Sequence, residues 1–371
     1  MILGAGTLSD RMIRSLIADG KIENARDENV NPASLDLSIS EETYRVTSSA
    51  SPVRGQSIRE LMEALGATPM NPGDIFEPGT MYLARTEETL ALPDDIYGYC
   101  NPKSSVARDG LLVRTVCDGV DGFDSVPTGK DECTKRPRNP WLLISPTVMP
   151  VRMYPRETLS QVRFFTADTR LDREEIRGLY RKQPLFFDEN GDPIPWEKVS
   201  CSSDGALAVS LDLRPKKIIG WCCKENRRIV DYSTVQQIID YFDPVYADEK
   251  GGALLKKGKF YILGTAEHVV VPPEFACEVK AVNKRFAHAD IHAAGFVDPG
   301  WAFILKVLMR WLGRRITLEV WPHEDWYIQP GQLIGEISYE RMIEPPSIHY
   351  DEKETSHYRH QKGALPSKRF A

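Results

Sequence analysis

"GTMYLARTEETLALP", residues 79–93, and "GKFYILGTAEHVVVP", residues 258–272, follow one pattern. Glycine, tyrosine, threonine, glutamate and proline fall at matching places, with Tyr82 answering Tyr261 and Pro93 answering Pro272. In each stretch apolar and polar residues mix at short period before a closing proline, which argues strand rather than helix. Two shorter matches flank this one in the same order. "SLDL" occurs at Ser34–Leu37 and at Ser210–Leu213, and "GVDGFD" from Gly119 parallels "FVDPGW" from Phe296, pairing Asp121 with Asp298. Matches repeated in order at similar separations indicate a tandem duplication. The seam falls near "FTADTRLD" (165–172), which gives halves 1–168 and 169–371.

Each half opens with helical periodicity. In "SDRMIRSLIADG" Ser9 can cap a helix whose face carries Met12, Ile13, Leu16 and Ile17, with Gly20 as the stop. "LDREEIRGLYRK" begins acidic and ends basic, as a helix dipole favours. Further helices are expected at "SIRELMEALG" and "STVQQIIDYF". Short strand-like runs dominate the rest, among them "MYLAR", "LLVRTV", "KFYIL", "HVVVP" and "ITLEVW", punctuated by Pro, Gly and Asp. The pattern predicts a mainly β protein in the manner of barrels and sandwiches, with a few short helices.

The 371 residues suffice for two domains. A net charge of −6 argues against a general nucleic-acid binder. Seven cysteines without a Cys-x-x-Cys pair suit reduced thiols in a cytoplasmic protein. "MILGAGTLSD" shows no secretory signal, and "AFILKVLMRWL" (302–312) is too short and too charged to span a bilayer. That run reads as a core element or a subunit contact.

Several chemistries are excluded by motif. There is neither a phosphate-binding P-loop nor a dinucleotide fingerprint. The His-x-Glu and Pro-Cys-x-x-Cys pieces of a zinc nucleobase deaminase are missing, and in β-rich surroundings His288 and His292, at i and i+4, would not share a helical face. No zinc is expected, so water activation falls to a carboxylate. Against this background "KSSVAR" concentrates Lys103, Ser104, Ser105 and Arg108, two cations and two hydroxyls suited to phosphate oxygens. Alone it would pass for a polar turn.

Together, "KSSVAR", the "DPGW" of 298–301, "ITLEV" around Glu319 and the tail "HYRHQKGA" (357–364) resemble the dCTP deaminases of the trimeric dUTPase superfamily. The opening helix and "ASLDL" extend the likeness over nearly the whole chain. The resemblance implies two tandem dUTPase-like distorted β-barrel or jelly-roll halves. It also implies metal-free deamination of dCTP to dUTP and ammonia, with Mg²⁺ arriving only on the substrate triphosphate. By that resemblance Glu319 is the general base and acid, Ser104 and Arg108 orient the reacting groups, and the Ala294 carbonyl holds the water. Asp298 lies beside the deoxyribose, Thr317 and Leu318 contact the nucleotide, and Tyr350, His357 and Gln361 close over it. A base of this kind works when partly desolvated, and Ile316, Leu318, Val320 and Trp321 are expected to provide that. A homo-oligomer is implied, with dTTP and dUTP as candidate regulators and neither nucleic acid nor membrane as partner.

Three departures stand out. An insertion, 302–313, precedes "ITLEV"; His357 replaces a lysine; and Phe296 replaces an arginine, as in relatives that also cleave dUTP to dUMP and pyrophosphate. That bifunctional outcome is the alternative to dUTP release, and a catalytically dead nucleotide-binding protein is another. Aligning the halves sets "KAVNKR" (280–285) opposite "KSSVAR", and Ser145 where Glu319 stands. Each half lacks what the other keeps, so one composite site is expected, within a chain or across chains.

Overall fold

The computed structural model describes residues 4–129, 138–280, 289–292, 294–303, 313–354, 358–359, 361 and 363–371. His288, His357, Lys362, the run 281–288 and most of the insertion lie outside the described residues. The chain forms two compact units. The first comprises 1–167 together with Glu225–Gln236 and Arg369–Ala371; the second comprises Asp168–Lys224 and Gln237–Lys368. A single cut at 168/169 therefore misses two excursions of later chain into the first unit.

In the first unit the principal strands are β1 (Leu35–Val46), β2 (Met81–Thr86), β3 (Tyr97–Pro102), β4 (Leu111–Val116), β5 (Ser125–Val126), β6 (Trp141–Pro146) and β7 (Thr158–Phe165). They run in the order β4-β6-β2-β1-β7-β3-β5, all antiparallel. The second unit repeats the scheme with β8 (Leu207–Ser210), β9 (Tyr261–Val269), β10 (Phe275–Lys280), β11 (Ala289–His292), β12 (Phe296–Val297), β13 (Arg314–Pro322) and β14 (Leu333–Arg341). There β9-β13-β11 and β8-β14-β10-β12 belong to separate sheets. The 12-residue β1 is long enough to pair with both β2 and β7, whereas the four-residue β8 pairs with β14 and the chain after it reaches β9 through the bridge Leu211 to Thr265. Both units are mainly β and barrel-like, as expected.

The repeated stretch does the same work twice. The Tyr82 hydroxyl accepts from the Glu77 amide at 2.7 Å, and the Tyr261 hydroxyl accepts from the Lys256 amide at 2.8 Å. Thr86 donates to the Glu88 carbonyl at 3.1 Å and Thr265 to the Glu267 carbonyl at 2.8 Å. The Glu88 carboxylate accepts from the Ser38 amide at 2.9 Å, and Glu267 from the Ser210 amide at 2.9 Å. These last bonds make Ser210 the counterpart of Ser38, not of Ser34, so the "SLDL" match is displaced by four residues. An even slip keeps every side chain on its own face of a strand, so alternation could not reveal it.

Three of the expected helices form well. Ser9 caps Asp10–Ala18, Ser57 and Glu60 make a capping box on Ile58–Ala64, and Asp172 and Glu175 make another on Arg173–Lys182. "STVQQIIDYF" yields only Ile238–Tyr241, because Gln236 is drawn into an extended bridge with Phe370 and Phe242 opens a strand. Among the described helices none is long and apolar enough to cross a bilayer.

Glu88 is fully buried, and burial pushes its carboxyl up to about 7 from 4.5. A raised carboxyl stabilises the fold below the unfolded value and loses that contribution as pH climbs through the folded one. Wild-type protein should therefore lose stability between pH 4.5 and 7 by up to about 3 kcal/mol from this group. Glu88→Gln keeps an acceptor for Ser38 and should flatten that slope, as urea denaturation at pH 5 and pH 8 would show.

Candidate active site

In the first unit β3 ends at Pro102, and Lys103 begins a single helical turn, Ser104–Ala107, that delivers the chain to β4. Arg108 donates its amide to the Ser104 carbonyl at 3.1 Å and Gly110 to Ala107 at 2.9 Å. Gly110 has φ +72°, and a Cβ there would lie 2.1 Å from Val148, so only glycine closes this turn. Ser105 and Arg108 are buried, while Lys103 and Ser104 are half-buried. The Lys103 ammonium is held by the Asp36 carboxylate and by Thr158 Oγ1 at 2.9 Å. Asp36 in turn accepts from the Asn31 amide group at 2.8 Å. These contacts anchor Lys103 at the start of the turn. The signal was the Asp36 of "SLDL".

In the second unit Glu319 lies at the middle of β13, opposite Ile262 of β9 and His292 of β11, with its side chain fully buried. Successive strand residues face opposite ways. Thr317, Glu319 and Trp321 therefore share one face, while Ile316, Leu318 and Val320 point into the apolar core. The Leu318 side chain lies in the core, and of the four expected flanks Trp321 shares the face of Glu319. Trp321 stacks on Phe260 with ring centroids 4.4 Å apart.

Described residues between 349 and 361 pack back on the same unit. Gln361 donates to Thr317 Oγ1 at 2.7 Å, about 7 Å along the strand from Glu319. Asp298 opens a turn whose Gly300 has φ +84°, where a Cβ would lie 2.5 Å from His349. Tyr350 donates its amide to the Pro299 carbonyl at 3.0 Å, and its ring meets Trp301 at 4.9 Å. Burial, with the Asp298 carboxylate beside it, holds the Tyr350 phenol above its ordinary value. The fastening is Arg314, which binds both oxygens of Asp351 at 3.0 and 2.9 Å and lies 4.7 Å over the Trp301 ring. Sequence reading overlooked Arg314 and Asp351, although "GRRITLEV" places two arginines beside the motif. Ala294 and Phe296 are half-buried around β12. Thus Glu319, Thr317 and Gln361 are gathered on one strand face, and Asp298 and Tyr350 around one turn.

Strand register also corrects the comparison of halves. Tyr82 faces Ile144 as Tyr261 faces Val320, so the residue standing for Glu319 is Leu143, opposite Leu83, and not Ser145. Gly98 faces Val126 as Cys277 faces Val297, so Asp121 is not the counterpart of Asp298. Between β3 and β4 lie residues 103–110, and between β10 and β11 lie 281–288, segments of equal length. Counting along them sets "AVNKRF" (281–286) against "KSSVAR", one residue from the expected "KAVNKR". The paired serines are absent in either register, and the first half has leucine where the second has the carboxylate.

Residues 4–168 match the 2'-deoxycytidine 5'-triphosphate deaminase N-terminal domain, and residues 172–370 match the C-terminal domain. The chain belongs to the 2'-deoxycytidine 5'-triphosphate deaminase family. It is similar to a crystal structure of 2'-deoxycytidine 5'-triphosphate deaminase from Agrobacterium tumefaciens, with TM-score 0.81 and 30% identity over 92% of this chain and 99% of that one. An Acidothermus cellulolyticus protein named dCTP deaminase, dUMP-forming, is 29% identical over 43% of this chain and 78% of its own length. A Methanobrevibacter smithii protein of the same name is 29% identical over 44% of this chain and 81% of its own length.

Arg314 and Asp351 are both buried, and removing one partner of such a pair leaves an uncompensated charge at a cost of about 3–5 kcal/mol. Asp351→Ala should lower Tm by about 6–12 °C in calorimetry and speed proteolysis between 345 and 364.

Proposed function

We propose that this protein hydrolyses dCTP at C4 of cytosine and carries the product on to dUMP, releasing ammonia and pyrophosphate. Two waters are consumed. One replaces the amine at C4, and the other cleaves the bond between the α- and β-phosphates. The observation that carries this reading is the family match across both halves, with relatives whose name specifies dUMP as the product. Phe296 favours it too, since an aromatic residue there suits relatives that cleave dUTP. The sequence expectation that the reaction ends at dUTP is the second reading.

The proposed roles follow the placements. Ser104 and Arg108 bind and orient, with Ser105 supporting the turn, and Lys103 holding it through Asp36. Glu319 takes a proton from the attacking water and returns it to the departing amine, in a position shielded from bulk solvent. Asp298 lies against the deoxyribose and helps position the second water. Ala294 supplies a carbonyl to the first water, while Tyr350 and Gln361 cover the nucleotide; Gln361 is already fixed to the Glu319 face through Thr317. No resident metal is assigned, and Mg²⁺ enters with the triphosphate. The first half carries the donors Ser104 and Arg108, and the second carries the Glu319 carboxylate. We further infer a homo-oligomeric cytoplasmic enzyme with dTTP and dUTP as candidate regulators.

Product analysis tests the reading directly. Incubation with dCTP should give ammonia, dUMP and pyrophosphate in equal amounts, whereas accumulation of dUTP without pyrophosphate would support the second reading. Glu319→Gln should cut kcat by at least about 100-fold while leaving dCTP binding within a few-fold. Normal turnover in that variant would remove Glu319 from its role. Binding without ammonia release by the wild type would indicate a dead nucleotide-binding protein. Mixing Arg108→Ala with Glu319→Gln subunits should restore activity only if the site is shared between chains.

A further inference from the structure

Asp109 follows Arg108 directly and is completely buried in the first unit. Its Oδ2 accepts from the Tyr232 hydroxyl at 2.8 Å and from Arg369 Nη1 at 3.0 Å. The Arg369 guanidinium lies 3.3 Å from the centroid of the Tyr232 ring and also pairs with Glu157 at 3.4 Å. Burial holds the Tyr232 phenol well above its ordinary value, so it is a donor here. Both partners come from sequence beyond residue 168, in the two segments that join the first unit. Backbone bonds fix them. Tyr232 donates to the Arg152 carbonyl at 3.0 Å, Gln236 donates to the Arg369 carbonyl at 2.8 Å, and Ala371 donates back to Gln236 at 2.9 Å.

The turn Ser104–Ala107 has only four residues, far below the length at which a helix holds itself in water. Its conformation must therefore be imposed from outside. At its start Lys103 is tied to Asp36, and at its end Asp109 is tied to Arg369 and Tyr232. Buried ion pairs of this kind are poor sources of net stability, because desolvation offsets attraction, but they define geometry sharply. An isolated structural role would place the clasp anywhere in the core. Here it sits one peptide bond from the arginine read as a substrate donor.

We propose that Arg369 is a positioning residue that sets Ser104 and Arg108 for the nucleotide by clamping Asp109 against Tyr232. The functional half of this inference rests on the reading of Ser104 and Arg108 given above, while the clamp itself does not.

The test is hydrogen exchange of the full-length protein alongside dCTP kinetics. Arg369→Ala should speed exchange of the 104–110 amides at least about tenfold while β6 (Trp141–Pro146) stays within about twofold. It should raise KM for dCTP about tenfold with kcat changed less than about threefold, and Arg369→Lys, which keeps a cation for Asp109, should recover most of the loss. Unchanged exchange at 104–110, or a uniform rise throughout the unit with kcat and KM failing together, would overturn the proposal. If Arg369→Ala does not fold, Tyr232→Phe removes only one hydroxyl from Asp109 and should still speed exchange at 104–110 about threefold. No change there would sink the clamp. Should the wild type release no ammonia from dCTP, the catalytic reading fails while the exchange result still decides the clamp.

Discussion

In the ladder between β9 and β13, Tyr261 stands opposite Val320 and Ile262 opposite Glu319. That register sends Leu318 and Val320 into the core and turns Glu319 with Thr317 to the other side. A slip of one residue would turn the Glu319 carboxylate into the apolar core and Leu318 to the opposite face. The register is pinned outside the pairing itself by the Tyr261 hydroxyl on the Lys256 amide and by Thr265, which accepts from the Ile316 amide at 3.0 Å. The first unit uses the same tyrosine bond to pin β2 and β6, but presents Leu143 at the corresponding place. One scaffold thus carries an apolar side chain in one copy and an ionisable one in the other.

Buried charge is the second organising feature. Lys103–Asp36, Arg369–Asp109 and Arg314–Asp351 each take both partners largely out of water. Such pairs repay their desolvation only when the geometry is well made. Each is located where irregular backbone has to be held: the two ends of the Ser104–Ala107 turn and the docking of the segment from 349. Regular strands need no such fastening, since the ladder and apolar packing already hold them.

Much of the fold was legible in the sequence. The capping residues Ser9, Ser57 and Asp172 announce their helices, and the repeated tyrosine stretch announces a repeated strand order. Where the sequence misled, it did so mostly by even steps. Ser34 was equated with Ser210 instead of Ser38, and Ser145 with Glu319 instead of Leu143. Strand periodicity cannot separate registers that differ by two or four residues, because the same faces stay buried. The candidate site was read as a set of residue types, and there the sequence was silent about which charges were already spoken for. Asp36 lies far from Lys103 along the chain, as does Asp351 from Arg314, and no local pattern links them.

The sequence by itself determined the mainly β class, the two-part organisation and the residue types available for chemistry, because alternation, caps and motif order are local properties. Tertiary structure alone decided which face of β13 Glu319 occupies, which anion holds Lys103, and that residues 225–236 and 369–371 complete the first unit. Those outcomes depend on strand register and on burial of distant charges against each other. Both are set by packing the whole chain and not by any stretch of it read alone.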